Sequence, residues 1–179
     1  MKNNIVLIGF MGAGKTTLGG LISHSLEMGL FDVDLEIEKQ TKMTIAQIFN
    51  EFGEEHFREL EHEMCKKKAL MQGQGHVIAT GGGILKDKRN LPLLQKTGTV
   101  IYLKADIETL YERIKGDVTR PLLRQAEAQC ASLQIMRELL NERETGYTTA
   151  ADFMVNTDGL SPEEACQEVL AALSSRVKP

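Results

Sequence analysis

The sequence has few cysteines, and their positions argue against two kinds of site. Only three occur among 179 residues, at Cys65, Cys130 and Cys166, and no two of them form a Cys-x-x-Cys pair. A structural zinc site needs closely spaced thiolates, and a small disulfide-rich scaffold needs an even and denser set. We therefore expect free thiols in a reducing compartment.

The sequence also lacks an excess of positive charge and any long apolar run. Its 21 Lys and Arg residues stand against 25 Asp and Glu residues, so the net charge is -4. A nucleic-acid partner would favour a basic protein, and a membrane span needs about 20 consecutive apolar residues. The first predicted strand begins almost at Met1, which leaves no room for a signal peptide. We expect a cytoplasmic protein without a nucleic-acid or membrane partner, and a monomer as the simplest state.

Apolar strands alternate with helical patterns along the whole chain. Five short runs indicate buried strands: residues 4–8, 30–34, 76–80, 99–103 and 152–156. Alternation of strands with helices is typical of a parallel sheet that is covered on both faces. The sequence therefore predicts one α/β domain over residues 1–179, with three layers and a central parallel sheet of five strands. Residues 116–131 carry Pro121 and little periodicity, which indicates a loop.

A phosphate-binding loop follows the first predicted strand. Residues 9–16, Gly-Phe-Met-Gly-Ala-Gly-Lys-Thr, match the pattern GxxxxGK[ST]. In such a loop, backbone N–H groups and a helix N-terminus face the phosphates. Lys15 can reach the β- and γ-phosphates, and Thr16 can place its hydroxyl on Mg²⁺. The predicted nucleotide-binding residues here are Gly12, Ala13, Gly14, Lys15, Thr16 and Thr17.

Missing motifs narrow the class of P-loop protein. The sequence contains no Asn-Lys-x-Asp stretch for guanine, no Leu-Ser-Gly-Gly-Gln of a transporter ATPase, and no apolar strand that ends in Asp-Glu. These absences leave kinases of small molecules or nucleotides as the leading class.

Further polar groups and glycines follow the second and third predicted strands. Asp32 and Asp34 end the second strand, and their spacing would place both carboxylates on one side. Ligands bind beyond the carboxyl ends of parallel strands, so both could face the P-loop. The same pair could instead be a helix cap or an ordinary turn. Arg58, with Glu61 one helical turn on, could be a surface ion pair, and the triplet 81–83 could be only a flexible turn.

Taken in order, these stretches resemble the shikimate kinase family over nearly the whole chain. The matching stretches are Gly-Phe-Met-Gly-Ala-Gly-Lys-Thr-Thr (9–17), Asp-Val-Asp (32–34), Ile-Phe-Asn-Glu-Phe-Gly-Glu-Glu-His-Phe-Arg-Glu-Leu-Glu (48–61), Gly-Gly-Gly (81–83), Thr-Arg-Pro-Leu-Leu (119–123) and Arg-Glu-Thr-Gly-Tyr (143–147). Many enzymes share the P-loop, whereas this combination in this order is specific. The resemblance implies a P-loop kinase fold with acceptor-binding helices and transfer of the γ-phosphate of ATP to the 3-hydroxyl of shikimate, with Mg²⁺ as cofactor.

The resemblance also implies a role for individual residues. Lys15, Asp34 and Arg120 would be catalytic, and Asp34 would also hold the acceptor hydroxyls. Thr16 and Asp32 would serve the metal, the latter through water. The acceptor carboxylate and ring would meet Arg58, Gly81, Gly82, Gly83 and Arg143. Arg113 would pack on adenine, and Arg120 would reach the phosphates from a lid at about 116–131.

Some positions depart from the family pattern, and two other functions stay open. Gly20 and Glu27 replace the usual basic residue and glycine, Thr145 replaces a frequent proline, and no Asp-Pro pair follows Leu123. A kinase of gluconate or of a nucleoside monophosphate is one alternative. A nucleotide sensor without catalysis is the other, although Lys15, Thr16, Asp34 and Arg120 argue against it.

Overall fold

In the computed structural model, which describes residues 4–70, 75–115 and 129–175, five parallel strands form one sheet. The strands are β1 (Asn4–Ile8), β2 (Gly29–Asp32), β3 (His76–Ala79), β4 (Gly98–Lys104) and β5 (Phe153–Asn156). Their order in the sheet is β2-β3-β1-β4-β5, so the first strand of the chain lies at the centre. Val6 pairs with Ile78 on one side and with Val100 on the other. The predicted α/β fold with five parallel strands is confirmed.

Helices connect these strands and cover the sheet. They are α1 (Lys15–Ser25), α2 (Val33–Thr41), α3 (Ile45–Leu70), α4 (Asn90–Thr97), α5 (Ile107–Ile114), α6 (Gln129–Ala150) and α7 (Pro162–Ser174), with a short 3-10 helix at Ile84–Lys86. A capping box starts α7: the Ser161 hydroxyl accepts from the Glu164 N–H, and the Glu164 carboxylate accepts from the Ser161 N–H. α3 is kinked at Gly53, whose φ of 81° and ψ of 176° are not helical.

The apolar strands of the centre build the core between these layers. Val6, Leu7, Ile8, Val100 and Ile101 are completely buried, as expected for strands that are covered on both faces. No helix in the described ranges is long and apolar enough to cross a membrane. The polar residues of interest lie at the carboxyl edge of this sheet, where β1, β2 and β3 end.

Two predicted boundaries differ from the structure by two residues or more. The second strand ends at Asp32 rather than at residue 34, and Asp34 lies in the first turn of α2. Helix α6 begins at Gln129, so residues 129–131 are helical although the sequence indicated a loop up to residue 131. The rest of the predicted lid, with Arg120, lies outside the described residues.

Candidate active site

The P-loop joins β1 to α1 and wraps closely around its own lysine. Gly14, with φ of 85°, occupies the left-handed region that favours glycine, and it caps the N-terminus of α1. Lys15 is the first helical residue, and its Nζ donates to the carbonyls of Gly9 and Phe10, each at 2.8 Å. The ammonium group is thus held within the loop that would bind phosphates, at the positive end of the helix dipole.

Thr16 and Asp32, the two predicted metal ligands, lie together. The Thr16 hydroxyl donates to Asp32 Oδ2 at 2.7 Å, and Asp32 Oδ1 accepts from the Leu35 N–H at 3.2 Å. Asp32 is therefore both the N-cap of α2 and the partner of the P-loop threonine. Two hard oxygen donors beside a phosphate loop suit Mg²⁺, which takes few protein ligands and completes its shell with phosphate and water.

A cavity of about 390 Å³ extends from the P-loop along α5 and α7. Its lining includes the six predicted nucleotide-binding residues, Arg113, and a patch formed by Leu160, Pro162 and Ala165. The Arg113 guanidinium is fixed by Thr157, donating to the Thr157 hydroxyl at 3.0 Å and to its carbonyl at 2.7 Å. A planar cation beside an apolar patch can hold a flat base.

A smaller cavity of about 90 Å³ adjoins the first and has a different character. It is lined by Met11, Asp34, Ile45, Phe49, Phe57, Arg58, Glu61, Gly81, Gly82, Gly83 and Arg143. Two arginines and two carboxylates thus face a partly apolar space, which suits a small anion that also carries hydroxyl groups. Asp34 and Gly82 line both cavities, so the two share a wall.

The kinked helix α3 holds Arg58 between two carboxylates. The guanidinium donates to Glu54 Oε1 through Nε at 3.1 Å and through a terminal nitrogen at 2.7 Å. Its other terminal nitrogen donates to Glu61 Oε2. Burial lowers the pKa of Arg58, but these two carboxylates more than offset that effect and raise it. Arg58 is therefore a fixed cation whose planar guanidinium is held in place at the wall of the smaller cavity.

Glu61 is a buried acid inside this arrangement. Its side chain is 0% exposed, and its Oε1 atom is buried without a hydrogen-bond partner among the described residues. Burial raises the pKa of Glu61 to about 7, and the negative charges of Asp34 and Glu54 act in the same direction while Arg58 opposes it. The carboxyl group therefore titrates near neutral pH.

The glycine triplet approaches these side chains closely. A Cβ atom on Gly81 would lie 2.3 Å from Glu61 Oε1 and 2.9 Å from Asp34 Oδ1. A Cβ atom on Gly83 would lie 2.6 Å from both terminal nitrogens of Arg58. The absence of side chains at these positions is what gives the cavity its space.

All three carbonyl groups of the triplet accept hydrogen bonds within the fold. The Gly81 carbonyl accepts from the Ile84 N–H and the Gly83 carbonyl from the Lys86 N–H. The Gly82 carbonyl accepts from Arg143 at 3.1 Å and from the Tyr147 hydroxyl. The triplet can therefore offer N–H groups rather than carbonyl groups to an acceptor.

Sequence reasoning identified most of these residues but missed some that support them. Tyr147 and Thr157 are almost completely buried, and they hold Gly82 and Arg113 respectively. Tyr147 lies one helical turn after Arg143, a spacing that could have indicated a shared target. Thr157 offered no signal, because it acts partly through its backbone carbonyl.

A P-loop beside a base-sized cavity, next to a small pocket with two arginines, defines a P-loop kinase of small anionic molecules. The chain belongs to the shikimate kinase family, as the resemblance predicted. The family model described as shikimate kinase matches residues 11–174. A curated shikimate kinase of Caldicellulosiruptor saccharolyticus is 42% identical over 94% of this chain and 94% of its own length. Another, of Thermodesulfovibrio yellowstonii, is 41% identical over 93% of this chain and 92% of its own.

Solved structures agree with this assignment. The shikimate kinase from Acinetobacter baumannii in complex with shikimate superposes with a TM-score of 0.90 at 35% identity. The match covers 98% of this chain and 96% of that one. The two cavities at the P-loop therefore belong to a kinase fold that extends over nearly the full length of both chains.

Proposed function

We infer that this chain transfers the γ-phosphate of ATP to the 3-hydroxyl of shikimate and releases shikimate 3-phosphate and ADP. The reaction belongs to the shikimate pathway, which leads to chorismate and the aromatic amino acids. The single observation that carries this inference is the acceptor pocket, where Arg58 and Arg143 stand beside Asp34 next to the P-loop. Shikimate has one carboxylate and three ring hydroxyls, and these groups match the charges of that pocket.

The acceptor pocket supports a division of roles among its residues. Arg58 and Arg143 bind the carboxylate, for which planar guanidinium groups have the matching geometry. Asp34 accepts from the ring hydroxyls at the wall shared with the nucleotide cavity. Gly81, Gly82 and Gly83 leave room for the ring and offer backbone N–H groups. The carboxylate and hydroxyl contacts together fix which hydroxyl reaches the phosphate.

The nucleotide cavity supports a matching set of roles for ATP. The P-loop amides from Gly12 to Thr17 bind the phosphates, and Arg113 lies against the adenine. Lys15 stabilises the charge on the transferring group, which is the main task of the protein in phosphoryl transfer. By the resemblance, Arg120 adds positive charge there. Because the transition state is loose, Asp34 serves the hydroxyl chiefly by positioning it rather than as a strong base.

Mg²⁺ fits the pair formed by Thr16 and Asp32. The Thr16 hydroxyl would bind the ion directly, and Asp32 would hold it through water while keeping its bond to Thr16. When bound, the ion neutralises charge on the β- and γ-phosphates. Among the described residues no group of three or more His, Cys, Asp or Glu side chains could bind a metal alone. This suits an ion that arrives with the nucleotide.

A coupled assay of ADP release tests this function. The chain should convert ATP to ADP rapidly with shikimate and only slowly with gluconate, with a nucleoside monophosphate or with no acceptor. Equal rates with and without an acceptor would indicate a hydrolase, and a preference for another acceptor would reassign the substrate. Slow turnover under every condition, together with tight ATP binding, would favour a nucleotide sensor.

A further inference from the structure

A buried polar relay lies on the side of α3 that the proposed chemistry does not use. His62 directly follows Glu61, and its Nδ1 lies 2.8 Å from Asn90 Oδ1. The Asn90 amide nitrogen donates to the Ile84 carbonyl at 2.9 Å. His62 is 8% exposed, and Asn90 and Ile84 are 0% exposed. Three buried residues from α3, α4 and the 3-10 helix are thus joined by hydrogen bonds.

The hydrogen-bonding capacities of these groups fix the direction of the relay. A carbonyl oxygen can only accept, so the Asn90 amide must turn its NH₂ group toward Ile84. Its Oδ1 atom then faces His62 and can only accept from it. His62 Nδ1 therefore carries a proton. The imidazole Nδ1–H, the two ends of the Asn90 amide and the Ile84 carbonyl thus each have one defined role, as buried polar groups require.

The relay ends on the turn that carries the glycine triplet. The Ile84 N–H donates to the Gly81 carbonyl at 3.2 Å, while the Ile84 carbonyl accepts from Asn90. Ile84 thus connects the triplet to Asn90 and, through Asn90, to α3. The same helix carries Arg58 and Glu61 on the side of the acceptor pocket. The relay therefore connects the two walls of that pocket, the glycine triplet on one side and α3 on the other.

The distance between the glycine triplet and α3 can change very little without a collision or a loss of contact. A single methyl group on Gly81 or Gly83 would collide with Glu61 or Arg58, at 2.3 Å and 2.6 Å respectively. A shift of the turn by about one ångström would therefore change both the volume of the pocket and the reach of its N–H groups, which can cost a large factor in productive binding.

We propose that His62 and Asn90 are positioning residues for acceptor recognition, which set the distance between the glycine triplet and the arginine of α3. Neither residue lines the nucleotide cavity or the acceptor pocket. The idea rests on the proposed function, since the effect is measured with shikimate. It assigns a specific role to a buried pair that would otherwise contribute only to stability.

The test compares three variants in steady-state kinetics. His62→Leu removes the donor, and we expect the KM for shikimate to rise about tenfold while the KM for ATP changes less than about twofold. His62→Asn places an N–H group near the position of Nδ1 and should restore most of the shikimate KM. Val169→Ala, in a buried position of α7, is the control for lost stability: it should lower the Tm and leave the shikimate KM unchanged.

The outcomes separate the proposal from a merely structural role. Equal increases of both KM values in His62→Leu, no rescue by asparagine, or an increased shikimate KM in Val169→Ala would each overturn it. If His62→Leu does not fold, long-range proton–nitrogen NMR on the wild type decides: a proton on Nδ1 supports the relay, and a proton only on Nε2 refutes it. A wild-type chain that does not phosphorylate shikimate would refute the proposed function instead.

Discussion

At the scale of single residues, Lys15 illustrates how a binding group can be held before its ligand arrives. Its ammonium group already donates to the Gly9 and Phe10 carbonyls. Exchanging these neutral carbonyl acceptors for phosphate oxygens strengthens the interaction, because the ammonium group then meets a negative charge as well as a hydrogen-bond acceptor. The loop is therefore organised around the lysine.

Lys15→Ala should lower kcat by orders of magnitude and leave the fold intact. The change removes the charge that stabilises the transferring phosphate, whereas the apolar core around β1 is built by other residues, such as Val6, Leu7 and Ile8. A coupled assay and circular dichroism together check this. Turnover close to that of the wild type in the variant would contradict the assignment of Lys15.

Arg58 should act on the acceptor far more than on the nucleotide. Calorimetry with Arg58→Ala should show a loss of shikimate affinity on the order of 2–5 kcal/mol, because a desolvated charge pair is removed. ATP binding should change little. Arg58→Lys is the matched control: it retains the charge but not the fork, so we expect an intermediate loss. Equal losses for shikimate and ATP would indicate that Arg58 has only a structural role.

Glu61 should make stability depend on pH. Its pKa is raised to about 7 in the folded state, so the folded chain retains this proton at pH values where the unfolded chain has released it. The contribution of Glu61 to the free energy of unfolding is complete below about pH 4.5 and falls, by about 3 kcal/mol in total, as the pH rises to about 7.

Urea denaturation of the wild type and of Glu61→Gln across this range measures the effect as a difference. The wild type should lose stability relative to the variant as the pH rises. Glu54→Gln is the control, because the pKa of Glu54 is lowered and the fall should persist in that variant. A constant difference between wild type and Glu61→Gln would show that the carboxyl group titrates alike in both states.

At the scale of elements, the boundary between β2 and α2 shows what the sequence could and could not predict. Apolar runs and turn residues located all five strands to within about two residues. Asp32 and Asp34 were expected to share one side of a strand, but Asp34 is helical and reaches the pocket from the first turn of α2. The carboxylates of both were correctly expected near the P-loop, for the wrong geometric reason. The strand ends at Asp32 because this residue caps the N-terminus of α2. The sequence alone did not show whether the next two residues would extend the strand or begin the helix.

The kink in α3 depends on a backbone conformation that only glycine adopts easily. Gly53, with φ of 81° and ψ of 176°, separates Ile45 and Phe49 from Phe57, Arg58 and Glu61, which all line the acceptor pocket. A continuous helix would point these two groups in different directions. Because of the kink, the parts of α3 before and after Gly53 form two adjoining walls of the acceptor pocket.

Gly53→Ala should destabilise the protein by about 1–3 kcal/mol through backbone strain, since no atom lies within 4 Å of the added methyl group apart from the chain neighbours and the nearby backbone of the same helix. Gly20→Ala is the matched control. Gly20 also has open space but lies inside α1, so alanine should stabilise the protein by about 0.5–1 kcal/mol. Thermal unfolding of both variants measures the contrast, and a loss at position 20 as large as that at position 53 would contradict it.

At the scale of the whole molecule, one copy of the chain supplies both cavities. The P-loop, the base pocket and the acceptor pocket are all lined by residues of a single chain. We propose that the enzyme acts as a monomer, with both cavities lined by residues of the same chain.

Turnover per chain should therefore be constant over about a hundredfold range of protein concentration, because mass action would reveal any dependence on assembly. Sedimentation equilibrium over the same range should give a mass near 19.9 kDa. A specific activity that falls on dilution, together with a loss of mass, would show that assembly is required.

The order of strands in the sheet also has a consequence for the growing chain on the ribosome. Strand β1 is made first but lies at the centre of the sheet. Among the described residues its partners are β3 and β4, and the partner of β2 is β3. Until His76 has left the ribosome, neither β1 nor β2 has its partner strand. The apolar side chains of β1 are then shielded from water only by transient contacts. The P-loop reaches its final surroundings later still, since Gly9 packs against the Leu103 carbonyl of β4 and that strand must be synthesised first. A nascent chain can therefore bind ATP in this site only after more than half of its residues have been translated.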